Sequence, residues 1–279
     1  MTSRAGTPRR GPDTPPLRRW SRAELALAGL LFALSATAWS LTHRLAMPEM
    51  SAGILTGAHP MDGTPMDGAM RPGAAGAGLF LATWVVMMAA MMLPSIAPFT
   101  VGMTRLMRAG GAGWAGTAAL TTGYFIVWTG FGLVAYVVVL GFEALAGGPA
   151  EPAARVGAAV LLAAGLYQFT PLKRVCLRHC RSPALLVLQH GQEAVRSRFG
   201  AFRAGIGHGG YCLGCCWALM AVLLAAGVMS LIWMGAIAAV VAVEKVNRYG
   251  ETISRVFGGL LALIAVVVLV EPSVVAVLS

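Results

Sequence analysis

The sequence has few charged residues, and most of those are basic. Asp, Glu, Lys and Arg make up 11% of its 279 residues, whereas 57% are hydrophobic. Such a composition, arranged in long uncharged apolar runs, is typical of a polytopic membrane protein. The net charge of +10 does not indicate nucleic-acid binding, because the basic residues cluster between apolar runs and are not interleaved with aromatic residues.

Several functional motifs are also missing. The sequence has no nucleotide-binding motif, so any transport activity would be passive or ion-coupled. It lacks a Cys-x-x-Cys-His motif and has few histidines in apolar runs, which argues against haem. Its five cysteines are an odd number, so a complete disulfide framework is excluded for the monomer. We assign no catalytic residue and no organic cofactor, and a non-enzymatic role is favoured.

The apolar runs predict an all-α helical bundle with about seven transmembrane helices. The first run resembles a signal peptide at Ala36-Thr37-Ala38, but it continues through Leu41 and we interpret it as a retained span. A turn at residues 227–230 divides the stretch from Leu213 to Val243, which is too long for one span. The first five runs cover about residues 23–42, 79–102, 115–142, 156–170 and 210–227. The sixth run follows the turn and ends at Glu244-Lys245, and the seventh covers about residues 253–270.

The basic residues predict the orientation. With the N-terminus in the cytoplasm, all but three of the 21 Lys and Arg residues lie on the cytoplasmic side, the exceptions being Arg44, Arg71 and Arg155. This predicts a multi-pass protein of the bacterial inner membrane, with the lipid bilayer as its surroundings. Residues 1–22 form a disordered basic cytoplasmic arm in this interpretation, and residues 23–279 form the integral membrane domain.

The most informative stretch runs from His208 to Met220. Cys212, Cys215 and Cys216 share one face of a helix because they are three and four residues apart. Met220 extends this face by one turn, and His208 precedes it by one turn if the helix continues through the two intervening glycines. Thiolate, thioether and imidazole groups favour Cu(I) first, zinc second and an iron–sulfur cluster third.

A second pair, Cys176 and Cys180, falls in a segment, residues 171–209, that we expect to be a cytoplasmic loop. The two thiols are four residues apart beside His179 and among basic residues, which favours thiolates and metal ligation. The alternative is an ordinary or palmitoylated juxtamembrane pair. Within this loop, residues 184–203 predict an amphipathic helix on the inner membrane surface, with a solvated linker as the alternative.

Methionines accumulate in the second apolar run and in the loop before it. Four of them precede Pro94 and Pro98, whose missing hydrogen bonds free backbone carbonyls that must face protein or a polar path. These methionines either line an intermediate path for copper or serve as flexible packing. They are Met87, Met88, Met91 and Met92. The extracytoplasmic loop 43–78 is either low-complexity filler or a weak copper trap built from His43, Met47, Met50, His59, Met61, Met66 and Met70.

Glu244 and Lys245 are interpreted as an interfacial ion pair or anchor in preference to a role in ion passage.

Four stretches resemble a bacterial family of unknown function described as predicted metal-binding integral membrane proteins. They are Trp84 to Ser95, Ala164 to Pro183, Gly210 to Met220 and Gly227 to Lys245, and together they cover most of the chain from about residue 79 onward. The resemblance implies a membrane protein whose candidate ligands are Met87, Met88, Met91, Met92, Cys176, Cys180, Cys212, Cys215 and Cys216.

The sequence therefore predicts binding of Cu(I), with zinc as the rival metal, and its transfer or transport across the inner membrane. A cytoplasmic or periplasmic metallochaperone is the expected protein partner. The alternatives are a membrane thiol redox protein and a metal-holding assembly factor or sensor that does not transport.

Overall fold

The computed structural model describes residues 21–45, 72–145, 150–190, 192–226 and 230–271. Within these residues helices are the sole regular secondary structure, as the apolar patterning predicted. The helices are α1 (Arg22–Leu45), α2 (Ala74–Gly110), α3 (Gly113–Leu145), α4 (Ala150–Tyr167), α5 (Pro171–Arg181), α6 (Pro183–His190), α7 (Glu193–Arg196), α8 (Arg198–Ala226), α9 (Leu231–Val246) and α10 (Gly250–Val270).

Five of these helices are long and apolar enough to cross a membrane, namely α1, α2, α3, α8 and α10. A sixth span results if α4 and α5 are counted as one span, bent by 67°. The predicted sixth apolar run corresponds to α9, which has 16 residues and falls short of the about 20 that a span requires. The expected count of seven spans stays a prediction.

The bend between α4 and α5 has a local cause. Pro171 disfavours helical backbone at Thr170, which is extended and caps α5 by accepting a hydrogen bond from the backbone N–H of Lys173. The chain turns here, and α5 packs against α8. The bend therefore decides where Cys176 and Cys180 lie.

Glycines allow α3 and α8 to pack closely. A Cβ atom at Gly123 would collide with the carbonyl oxygen of Phe202, and one at Gly205 would collide with that of Leu120. Helix α8 continues through Gly209 and Gly210, so His208 and the cysteines share one helix.

The proline pair in α2 leaves a carbonyl that other groups satisfy. Pro94 cannot donate to the carbonyl of Ala90, which instead accepts hydrogen bonds from Ser35 Oγ at 2.7 Å and from Trp39 Nε1 at 3.1 Å. The prediction that a freed carbonyl faces protein is confirmed at Ala90, and the two contacts bind α1 to α2.

The segment 171–209 differs from the expected loop with one interfacial helix. It consists of α5, α6, α7 and the first part of α8, with the chain leaving the helical path at Ser182 and Ser197. Cys176 and Cys180 are buried, because α5 packs on α8 instead of lying on the surface.

Three earlier expectations concern residues outside the described part of the chain. They are the basic arm up to residue 20, most of the Met/His-rich loop (residues 46–71), and the turn at residues 227–229.

Candidate metal centre

Three thiols from two helices converge in the core. Cys180 on α5 and Cys212 and Cys215 on α8 have sulfur atoms that all lie within 4.8 Å of one another. Each is at most 3% exposed, and none of the three is in a disulfide. We call Cys180, Cys212 and Cys215 the thiol triplet.

The other two cysteines border the triplet. Cys216 interacts through its thiol with Cys212 and Cys215, and its Sγ donates to the carbonyl oxygen of Cys212 at 2.9 Å. Cys176 Sγ lies against Gly214, where an added Cβ atom would be 2.6 Å away. The two cysteine groups that the sequence presents 32 or more residues apart are thus neighbours in space.

Two polar side chains contact the sulfur of Cys212. The hydroxyl of Tyr124 on α3 lies 3.1 Å from Cys212 Sγ, and the ammonium Nζ of Lys245 on α9 lies 3.1 Å from the same atom. Sequence reasoning missed Tyr124 altogether, since an aromatic residue in an apolar run gives no sign of the sulfur it faces. Lys245 carried a signal, because a lysine at the end of an apolar run requires a partner.

The structure corrects the interpretation of Glu244 and Lys245 as an interfacial pair. Glu244 is 1% exposed and binds Lys173, whose Nζ lies 2.9 and 3.1 Å from the two carboxylate oxygens. Lys245 is 7% exposed and turns to Cys212. Neighbouring residues on a helix point in directions about 100° apart, so adjacent charges readily find different partners.

The four predicted methionines of α2 are all buried in the hydrophobic core that also contains the thiol triplet. Met92 contacts Lys245, which lies beside the thiol triplet: the Met92 sulfur is 3.7 Å from the Nζ of Lys245. The remaining three, and Met220 of α8, pack in the same core: Met87, Met88, Met91 and Met220.

His208 lies one turn before Cys212 and is 2% exposed. Its ring stacks on Phe99 with centroids 3.6 Å apart and lies 5.6 Å from the Tyr124 ring. Neither ring nitrogen has a hydrogen-bond partner among the described residues, which is unusual for a buried imidazole. The structure places His208 beside the thiol triplet and not within it.

One family model, described as "copper chaperone" and named PpoB2, matches residues 81–268. The chain belongs to the PpoB2 family. The match contains the thiol triplet, Tyr124, Lys245 and the eleven candidate ligands that lie in or between the predicted helices, and it leaves out the Met/His-rich loop. It shows a copper-related family and leaves the resemblance to predicted metal-binding membrane proteins as an expectation. No curated protein and no solved structure matches the chain.

The donor set of this PpoB2 protein suits a soft ion. Three buried thiols, with a thioether nearby, provide sulfur ligands of the kind that Cu(I) prefers. Structural zinc sites use four ligands in a tetrahedron, so zinc would need a donor from outside the triplet. The chemistry of the centre agrees with the copper description of the family.

Proposed function

We propose that the protein binds Cu(I) at the thiol triplet and transfers it, as a membrane-embedded copper chaperone. The observation that carries this proposal is the convergence of three buried, unpaired thiols from α5 and α8. Membership of the PpoB2 family supports copper as the metal, and the three sulfur donors of the triplet support the Cu(I) state.

The proposed location is the bacterial inner membrane, with seven spans and the N-terminus in the cytoplasm. Five helices of spanning length support the membrane location, and the one-sided distribution of Lys and Arg supports the orientation. The count of seven adds the α4–α5 pair and α9 to these five. This orientation puts the thiol triplet towards the cytoplasmic side and the Met/His-rich loop outside.

Copper transfer is proposed to run inward along ligands of increasing affinity. Thioether and imidazole groups of the loop 43–78 would capture the ion, Met92 and its neighbours in α2 would accept it at mid-depth, and thiolates would hold it. A metallochaperone on either side of the membrane is the proposed protein partner.

The test is copper content with and without the thiol triplet. The full-length protein, purified in detergent from copper-supplied cells, is expected to carry copper in a fixed ratio to protein. The variant Cys180→Ser/Cys212→Ser/Cys215→Ser is expected to carry almost none, because a hydroxyl is a poor ligand for a soft ion. Copper and zinc are both measured by elemental analysis.

The matched control is Cys176→Ser. It removes a buried thiol that lies one turn before Cys180 and does not belong to the triplet. It is expected to retain most of the copper. Equal copper in the parent and the triple variant would overturn the proposal, and zinc in place of copper would overturn the choice of metal. Initial copper uptake by cells that express the triple variant separates transport, which would slow, from delivery to a partner, which would leave uptake unchanged.

A further inference from the structure

Lys245 is a buried cation in contact with a proposed copper ligand. It is the penultimate residue of α9, and its Nζ lies 3.1 Å from Cys212 Sγ, 3.4 Å from Ser95 Oγ and 3.7 Å from Met92 Sδ. A buried ammonium is costly unless an opposite charge or several acceptors compensate it. Here a hydroxyl and two sulfur atoms surround it, so the thiol triplet is the nearest source of negative charge.

The adjacent carboxylate is already engaged. Both oxygens of Glu244 accept from Lys173 Nζ, so in the described part of the chain the contacts of the Lys245 ammonium do not include a carboxylate oxygen. Glu244 still acts on Lys245 through space. The electrostatic partners of Lys245 that lie within the centre are the cysteines, Cys212 foremost.

We infer that Lys245 determines the charge of the metal ion that the thiol triplet accepts. Its ammonium, beside a ligand sulfur, opposes a divalent ion more strongly than a monovalent one and so favours Cu(I) over Zn(II). The inference rests on the proposed function, since it concerns selectivity at the same centre.

Coulomb repulsion between a fixed charge and an ion is proportional to the charge of the ion. Lys245 therefore opposes Zn(II) twice as strongly as Cu(I) at the same position, and burial weakens the screening that would reduce this difference. Cu(I) held by two thiolates carries one negative charge, which the ammonium neutralises. Zn(II) reaches the same balance only when all three thiols of the triplet are ionised, and it still needs a fourth donor.

The test compares metal affinities of the full-length protein and two neutral variants, Lys245→Gln and Lys245→Met. Cu(I) and Zn(II) affinities are measured separately by competition with chromophoric chelators, and Cd(II) is added because it is divalent yet binds thiolates well. We expect both variants to shift the ratio of affinities towards Zn(II) and Cd(II), relative to Cu(I), by on the order of tenfold or more. The use of two variants guards against failure of either one to fold.

The matched control is Ser95→Ala, which removes a neighbour of the Lys245 ammonium without changing any charge. It is expected to leave the ratio unchanged. Equal changes in all three affinities in a folded neutral variant, or no change in the ratio, would overturn the inference. The proposed function is tested separately. It fails if the triple variant of the thiol triplet carries as much copper as the parent protein.

Discussion

At the scale of single residues, Cys212 is the residue at which the polar contacts of the centre meet. Its sulfur faces the Tyr124 hydroxyl and the Lys245 ammonium, while its carbonyl oxygen accepts from the thiols of Cys215 at 3.0 Å and Cys216 at 2.9 Å. Groups that hydrogen-bond a metal ligand orient it and stabilise its charge. Under the proposed function, Cys212 is therefore the thiol best prepared to bind metal as a thiolate, and the Cys215 thiol gives up its hydrogen bond to that carbonyl when it deprotonates to coordinate.

The substitution Tyr124→Phe removes the hydroxyl next to Cys212 and keeps the buried ring. Loss of an outer hydrogen bond to a metal ligand typically costs about tenfold or more in affinity, so we expect a Cu(I) affinity about tenfold weaker. Chelator competition on the purified protein measures it. Tyr136→Phe is the matched control, since its hydroxyl faces the carbonyl of Gly73 at 3.5 Å and not the sulfur cluster. Equal affinities for the Tyr124 variant and the parent would contradict the role of this contact.

At the scale of elements, the centre depends on how α5 lies on α8. The bend after Tyr167 turns α5 back on the bundle, and Gly214 lets the Cys176 side chain approach the backbone of α8. The Tyr167 hydroxyl donates to the Gly214 carbonyl at 2.5 Å, which adds a contact from the end of α4. These contacts position Cys180 against Cys212 and Cys215, so a small change at Gly214 affects Cys180, a proposed ligand on the other helix.

The substitution Gly214→Ala introduces a Cβ atom 2.6 Å from Cys176 Sγ and 3.4 Å from Cys176 Cβ. We expect overpacking to destabilise the fold by about 1–3 kcal/mol and to weaken Cu(I) binding, because α5 must shift and Cys180 moves with it. Thermal unfolding and copper content measure the two effects.

Gly210→Ala on the same helix is the matched control, since nothing lies within 4 Å of its added Cβ atom. It is expected to be neutral or slightly stabilising. Adding Cys176→Ala to Gly214→Ala should restore much of the loss, and failure of this rescue would show that the contact with Cys176 is not the cause.

At the scale of the whole molecule, a buried ionic network ties three helices together behind the centre. Lys173 of α5 donates to Glu244 of α9 and to the side-chain oxygen of Gln168, which also accepts from Ser254 of α10. The side chains of Lys173 and Glu244 are 1% and 2% exposed, so water does not screen the attraction between their charges. The network holds α5 and α9 together, and these helices carry Cys180 and Lys245 respectively.

Removal of one partner of this pair leaves an uncompensated buried charge. Lys173→Met is expected to destabilise the protein by about 3–5 kcal/mol, whereas Lys173→Met/Glu244→Met should recover most of that loss. Denaturant or thermal unfolding in detergent measures both. Arg178→Ala is the control, because it breaks an exposed pair with Glu251 and should change stability little. A double variant no more stable than the single one would contradict this explanation.

Features that depend on neighbours along the chain could be predicted before the structure was known. Apolar runs predicted the helices, because each buries apolar side chains whatever its partners are. Spacings of three and four placed Cys212, Cys215 and Cys216 together, since residues at these offsets meet on any helix. Pro94 likewise predicted a freed carbonyl at Ala90, because the missing hydrogen bond is a local property of proline.

The tertiary structure alone decided which distant residues complete the centre. Cys180 joins the triplet because of the bend at Thr170 and the space at Gly214, and neither effect can be read from the spacing of the cysteines. Tyr124 and Lys245 contact Cys212 from two further helices. Lys245 contacts the sulfur of Cys212 because Lys173 already binds the neighbouring carboxylate of Glu244. Local spacing settles neighbours within a helix, whereas contacts between helices depend on bends, glycines and competing charge pairs spread over the chain.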